Sequence, residues 1–131
     1  MLKTKPILSL KESSDGLRIS IMSRHTLEDG LTSHPLINTS CYDLWLPIFA
    51  PPTKLLGDYY KRGLSWDDFS NAYQNYLKLP RISVEVQNLA VKSLNYIVTL
   101  LCVEDTPEYC HRRLLAEECK KYSPHLSLIV K

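Results

Sequence analysis

The stretch "YIVTLLCVEDTPEYCHRRLLAEECKKYSPHLSLIV", Tyr96–Val130, decides the fold. It opens with a run, Tyr96–Val103, that is apolar on both faces and rich in β-branched residues. A strand covered on both sides has no solvent face and so shows no alternation, which predicts a central strand here. Thr106 then predicts a helix cap, with Pro107 in the first turn. Glu108 suits the positive end of that helix, and Lys120 and Lys121 suit the negative end. Pro124 stops the helix, and His125–Val130 predicts a last strand. Strand, helix and strand in that order make a right-handed parallel crossover.

Working outward, Lys5–Leu10 is a short apolar run, followed by the turn signal "ESSDG". Leu17–Ser23 alternates, with Leu17, Ile19 and Ile21 set against Arg18, Ser20 and Met22, the period of a half-buried strand. Asp15–Gly16 between the two runs predicts a hairpin or meander edge. From Arg24 to Pro52 the periodicity stops, and a connection of about 30 residues is more often functional than decorative. Inside it, Tyr42–Pro52 is too apolar to float in solvent, so Leu44, Trp45, Leu46, Ile48 and Phe49 are expected to anchor it on the core.

Three helices should follow. Thr53 caps the first, with Leu55, Leu56, Tyr59 and Tyr60 on one face and Gly63 as its stop. Ser65 caps the second, which carries Asp67 and Asp68 in its first turn and is closed by Pro80. Trp66, Phe69, Tyr73, Tyr76 and Leu77 keep helical spacing along it. Ser83 caps the third, with Val86, Leu89, Ala90 and Leu94 turned inward. The expected fold is α/β: one domain, residues 1–131, with an open, mixed or mainly parallel sheet of about four strands flanked by helices.

At 131 residues, 44% hydrophobic and 23% charged, the chain has the composition of an ordinary globular domain. Sixteen basic against 14 acidic residues leave a net charge of +2, too little for a strongly electropositive nucleic-acid surface. No apolar run approaches the roughly 18 residues of a membrane span. The first residues lack a signal-peptide core, because Lys3, Lys5 and Lys11 interrupt them. A cytoplasmic location with reduced thiols is therefore expected for Cys41, Cys102, Cys110 and Cys119.

The chemistry-bearing stretch is "LLCVEDTPEYCHR", because open α/β sheets gather ligands beyond the carboxyl ends of their strands. A helix start favours anions and lowers a nearby thiol's pKa, and a thiolate beside a basic partner is the usual nucleophile. Cys110 is accordingly the candidate nucleophile or redox thiol, His111 its base, Arg112 and Arg24 the anion clamps, and Cys102 a second thiol. Arg24 joins them only if the early strand runs parallel to the one ending at Cys102.

A small anionic ligand, phosphate or carboxylate, is the expected partner. The competing reading makes Cys102, Cys110 and Cys119 plain core residues in a non-catalytic interaction or nucleic-acid module. "YYKRGLSW" is its best support, since Lys61 and Arg62 are interleaved with aromatic rings. No CxxC or HxxxH spacing and no glycine-rich phosphate loop occurs, so neither metal nor cofactor is assigned.

The segments "DGLRISIMSR", "YDLWLPIFAPPTKLLGDYYKRGLSWDDFSNAYQNYL" and "VTLLCVEDTPEYCHRRLLAEEC" together resemble the family called domain of unknown function 488. The resemblance runs from about Pro6 to Val130. It implies a small α/β fold and a cytoplasmic prokaryotic protein, and no established activity. The chain departs from relatives at "SRHTLEDG", where they often carry a further basic or Trp-Pro segment.

Overall fold

The apolar run does become the central strand. The structure is a computed structural model that describes residues 1–131. It contains β1 (Leu2–Pro6), β2 (Leu17–Ser20), β3 (Leu44–Trp45), α1 (Thr53–Arg62), α2 (Trp66–Leu77), α3 (Pro80–Asn95), β4 (Val98–Cys102), α4 (His111–Tyr122) and β5 (Leu128–Val130). The strands form one sheet in the order β3-β2-β4-β1-β5, and every pairing is parallel. No helix is long and apolar enough to cross a membrane.

Two expectations about the first strands are corrected. β1 and β2 do not form a hairpin, because β4 lies between them and pairs in parallel with both. Gly16 makes no hairpin turn. With φ at +61° it passes so close to Ile97 that a Cβ would sit 2.1 Å from the Ile97 carbonyl oxygen. Nor is β2 half-buried: Arg18 and Ser20, its polar side, are as buried as Ile19. The expected loop also contains a strand, β3, too short to carry a periodic signal.

All the helix packing falls on one face of the sheet. Leu2, Ile19, Ile21, Val98 and Leu100 meet Tyr73 and Leu77 of α2, Val86 and Ala90 of α3, and Leu114 and Leu115 of α4. Right-handed connection explains this one-sidedness, since the crossovers β3 to β4 and β4 to β5 both advance along the sheet in the same direction. The connections β1 to β2 and β2 to β3 advance the other way. They cover the opposite face, with only a short 3₁₀ turn at Ser13–Asp15 between β1 and β2.

That face is polar. Arg18 is 1% exposed, and its guanidinium donates to Asp15 Oδ2 at 2.6 Å and to the carbonyl oxygens of Cys41, Ile7 and Ser9. Lys5 Nζ lies 2.5 Å and Lys3 Nζ 3.7 Å from Asp15 Oδ1. Thr99 donates to the Asp15 carbonyl. Connections without helices leave carbonyl groups unpaired, and the sheet's own side chains satisfy them.

Local rules hold in some helices and fail in others. Ser65 caps α2 through the Asp68 N–H, and Gly63 ends α1 with a left-handed φ of 75°. Pro52, rather than Thr53, precedes α1 without a side-chain cap, and Pro80 starts α3 instead of closing α2. Ser83 therefore lies inside α3, where its hydroxyl donates to the Pro80 carbonyl. Leu94 is 48% exposed, and Ser93 is turned inward in its place. Of the expected loop anchors, Phe49 is buried while Leu44 and Trp45 stay about two-fifths exposed. Tyr73 and Tyr76 fasten the Phe49 segment to α2 by donating to the Phe49 and Ile48 carbonyls.

Burial by itself would raise the Asp15 pKa. Lys5, the Glu12 N–H and Arg18 outweigh it and hold the carboxyl well below the usual carboxylate range. Replacing Asp15 with Asn strands buried cations, and urea denaturation at pH 7 should show a loss of about 3–5 kcal/mol. Because the folded-state pKa is lowered, this contribution is complete above about pH 4 and is lost only as the pH falls toward the lowered value. The difference between Asp15→Asn and wild type should thus be equal at pH 7 and pH 5. A gap that closes already at pH 5 would contradict the ionised cluster.

Candidate functional site

β2 sends its connection toward β3 over one face, and its neighbour β4 sends its own toward β5 over the other. Such a divergence opens a crevice at the carboxyl ends of the two strands. The thiol stretch lies there, with Cys102 ending β4 one residue beyond Leu101, the register partner of Ser20. Cys102 and Cys110 share a small apolar cluster with Ile7, Met22, Ile37 and Leu101.

The helix following β4 begins later than its sequence suggests. Thr106 and Pro107 lie in a turn, Cys110 is the N-cap residue and His111 the first helical residue. The physical reason is length. The chain must climb over the end of β4 before it can turn back, and it uses residues 103 to 110 to do so. That shift places Cys110, His111 and Arg112 together over the crevice, at 2%, 7% and 0% exposure. One donor atom from each of Cys102, Cys110 and His111 lies within 4.8 Å of the other two. The set is soft but stops at three donors, short of the four that close a structural zinc site.

His111 is oriented by the sheet. Its Nε2 is 2.9 Å from the Ile21 carbonyl oxygen, which can only accept, so Nε2 carries the hydrogen. Nδ1 is then the basic atom, and it faces Cys102 Sγ at 3.7 Å. Tyr73 packs edge-on against the ring with centroids 5.5 Å apart. His111 was expected to serve Cys110, and its ring faces Cys102 as well.

Arg112 spans the site from below. Its Nε donates to the Lys131 carbonyl and its Nη1 to the Glu104 carbonyl at 2.7 Å, while Nη1 also lies 3.3 Å from Cys110 Sγ. Nη2 is buried without a hydrogen-bond acceptor.

The neighbouring Cys110 thiol, ahead of the Arg112 charge, holds the Cys102 pKa below the ordinary thiol value against the opposing effect of burial. Burial pushes Cys110 well up, and the neighbouring Cys102 sulfur pushes it further. Cys102, rather than Cys110, is the sulfur whose surroundings favour the thiolate. Cys119 sits in the helix-side core, where burial pushes its thiol up to about 12.

The parallel pairing of β2 with β4 puts the Ser23–His25 stretch on the same rim. Arg24 nevertheless does not reach the thiols: it is exposed, and its Nη1 donates to the Gly30 carbonyl of its own loop. The residue β2 turns inward is His25, half-buried, with Nε2 2.7 Å from Ser20 Oγ and its ring 4.2 Å from that of Trp45. Alternation had marked Ser20, but nothing in the sequence linked it to His25 across the chain reversal. Tyr60 on α1, expected on that helix's apolar face, is instead exposed and donates to Glu104 at 2.5 Å.

The basic-aromatic stretch divides, with Tyr60, Lys61 and Arg62 exposed and the other rings packed. Tyr59 and Trp66 pack with Phe69, and Arg62 pairs with Asp58. The thiols line neither of two open surface hollows, one of about 450 Å³ beside Asp58, Arg62 and Ser65 and one of about 500 Å³ beside Gly16, Tyr96 and Ile97.

A comparison with protein families finds that the profile described as "Active DUF488-N3 subclade" matches residues 2–123, and the chain belongs to that family. No curated protein and no solved structure matches it.

Arg112→Lys tests the site's electrostatics, because an ammonium cannot reproduce the planar fork. The ultraviolet thiolate absorbance of the native variant should titrate at a more alkaline midpoint than wild type. Stability should fall by roughly 1–3 kcal/mol as buried carbonyl groups lose their donors. A midpoint that stays put would show that the guanidinium does not act on the thiols.

Proposed function

We propose that this member of the DUF488-N3 family uses Cys102 as a nucleophilic thiolate toward a small ligand entering between β2 and β4. One observation carries the reading: at the end of the central strand, Cys102 Sγ faces His111 Nδ1 at 3.7 Å and lies within 4.8 Å of Cys110 Sγ, which the Arg112 guanidinium touches. A thiolate stabilised by N–H groups and a cation beside a base is what nucleophilic sulfur chemistry requires. The word "active" in the family description supports a working site.

The roles follow from the geometry. His111 Nδ1 takes the proton of Cys102, and the Ile21 carbonyl holds the ring in the tautomer that allows it. Cys110 is the proton donor to Cys102 and not the first nucleophile. Arg112 is an anion clamp beside the thiol pair, with its Nη1 3.3 Å from Cys110 Sγ. Its unpartnered Nη2 leaves one donor for a ligand oxygen, such as that of a carbonyl, carboxylate or phosphoryl group. Arg24 takes no part, since its guanidinium is turned to Gly30.

An ordinary cysteine is only about 0.3% ionised at pH 6, so alkylation there separates an activated thiolate from the rest. With Cys41→Ser removing the half-buried loop thiol, limiting iodoacetamide at pH 6 should modify Cys102 first. Cys110 and Cys119 should remain unmodified, as read by peptide mass mapping. Labelling of Cys102 that is no faster than that of Cys119, or that begins only in alkaline solution, would end the proposal.

A further inference from the structure

We propose that the Cys102–Cys110 pair is a two-electron centre for hydrogen peroxide, with Cys102 as the attacking sulfur and Cys110 as the resolving one. This rests on the reading of Cys102 as the nucleophile and adds the substrate class.

Three features of the crevice select that substrate. The first is proximity, since the two sulfur atoms lie within 4.8 Å and a disulfide needs them at about 2.05 Å. Cys110 is the side free to close the gap. It sits at the N-cap ahead of α4, where its N–H and carbonyl make only long bonds of 3.3 Å, to Pro107 and from Arg113. Cys102, by contrast, ends a strand paired on both sides, and its carbonyl accepts from the Ile7 N–H at 2.8 Å.

The second feature is access. With Cys102 at 5% and Cys110 at 2% exposure, so buried a pair favours an oxidant little larger than water over a tripeptide disulfide. The third is the buried Nη2 of Arg112, an N–H donor with no acceptor, carried by the guanidinium that touches Cys110 Sγ. Such a donor stabilises negative charge developing on a leaving oxygen.

The step balances within the site. The proton of Cys102 passes to His111 Nδ1, and the thiolate attacks one peroxide oxygen. The S–O bond forms and the O–O bond breaks, and the departing hydroxide takes the proton from Nδ1 to leave as water. Cys102 is then a sulfenic acid. Cys110 sulfur attacks it, the S–S bond forms and the S–O bond breaks, and the second hydroxide leaves as water with the Cys110 proton. Both electrons come from the two cysteine sulfurs, and an external dithiol restores them by exchange.

One equivalent of hydrogen peroxide added to the reduced wild-type chain tests this without relying on any variant. Non-reducing peptide mapping should show a single Cys102–Cys110 bridge, a mass lower by two hydrogens, and loss of two of the four titratable thiols. Oxidised glutathione at equal concentration should give no bridge over the same time. Cys110→Ser and Cys110→Ala, each checked for an unchanged melting transition, should instead trap Cys102 as a dimedone-reactive sulfenic acid.

Oxidation confined to Cys41 would overturn the proposal, and so would Cys102 passing to sulfinic acid with no bridge. A stoichiometric metal ion released from the pair by a chelator would overturn it too. If iodoacetamide labels Cys102 at pH 6 while peroxide leaves both thiols reduced, the nucleophile stands and the peroxide chemistry falls. If neither reagent reacts, both fall together.

Discussion

The buried carboxylate of Asp15 is the point on which the helix-free side of this protein depends. A parallel sheet must be covered on both faces, and here the direction of the crossovers sends every helix to one of them. The other face is closed by connections that cannot pair their own backbone. Arg18 reaches up from β2 to three of their carbonyl groups, and Asp15, coming down from one connection, balances Arg18 together with Lys3 and Lys5. Charges taken from water cost several kcal/mol each unless paired and hydrogen-bonded. The cluster is therefore an all-or-nothing arrangement, stable when every member is present and costly when one is missing.

The thiol site inherits its order from that arrangement. The connection that Arg18 pins at the Cys41 carbonyl also carries Ile37 and Tyr42, which pack against the cluster holding Cys102 and Cys110. β2, locked between two partners, presents the Ile21 carbonyl at a fixed height, and that carbonyl chooses the tautomer of His111. Arg112 ties the same site to Lys131 at the chain's last residue and to the Glu104 loop. A hydrogen bond from Tyr60 further clasps that loop to α1, a helix with no fully buried residue of its own. The thiols and His111 thus sit at strand and helix ends, and α1 reaches their loop through the Tyr60–Glu104 hydrogen bond.

Much of this was legible locally. The unbroken apolar run announced a central strand because burial on both faces removes the need for alternation. Gly63 announced the end of α1, and Ser65 and the Phe69–Tyr73–Leu77 spacing announced α2, because caps and helical periodicity act over a few residues. The strand, loop and helix order placed the site at a rim for the same reason. The errors fell where a distant partner outweighed a local preference. Thr106 and Pro107 have the chemistry of a helix start, yet the climb over β4 delays the helix to His111. Asp15–Gly16 has the chemistry of a hairpin, yet β4, supplied from far along the chain, inserts between the two strands. Arg18 and Ser20 read as solvent-facing because nothing nearby reveals that irregular connections will bury them.

The sequence by itself determined that this is an α/β chain and singled out the stretch from Cys102 to Arg112 as the candidate site, since both readings rest on patterns contained within neighbouring residues. Only the tertiary structure decided that His111 Nδ1 faces Cys102, that Arg112 is buried against Cys110, and that Arg24 turns away to Gly30. A side chain's surroundings depend on what stands within a few ångströms of it, and here the Ile21 carbonyl orients His111 and the Lys131 carbonyl holds Arg112 from distant parts of the chain.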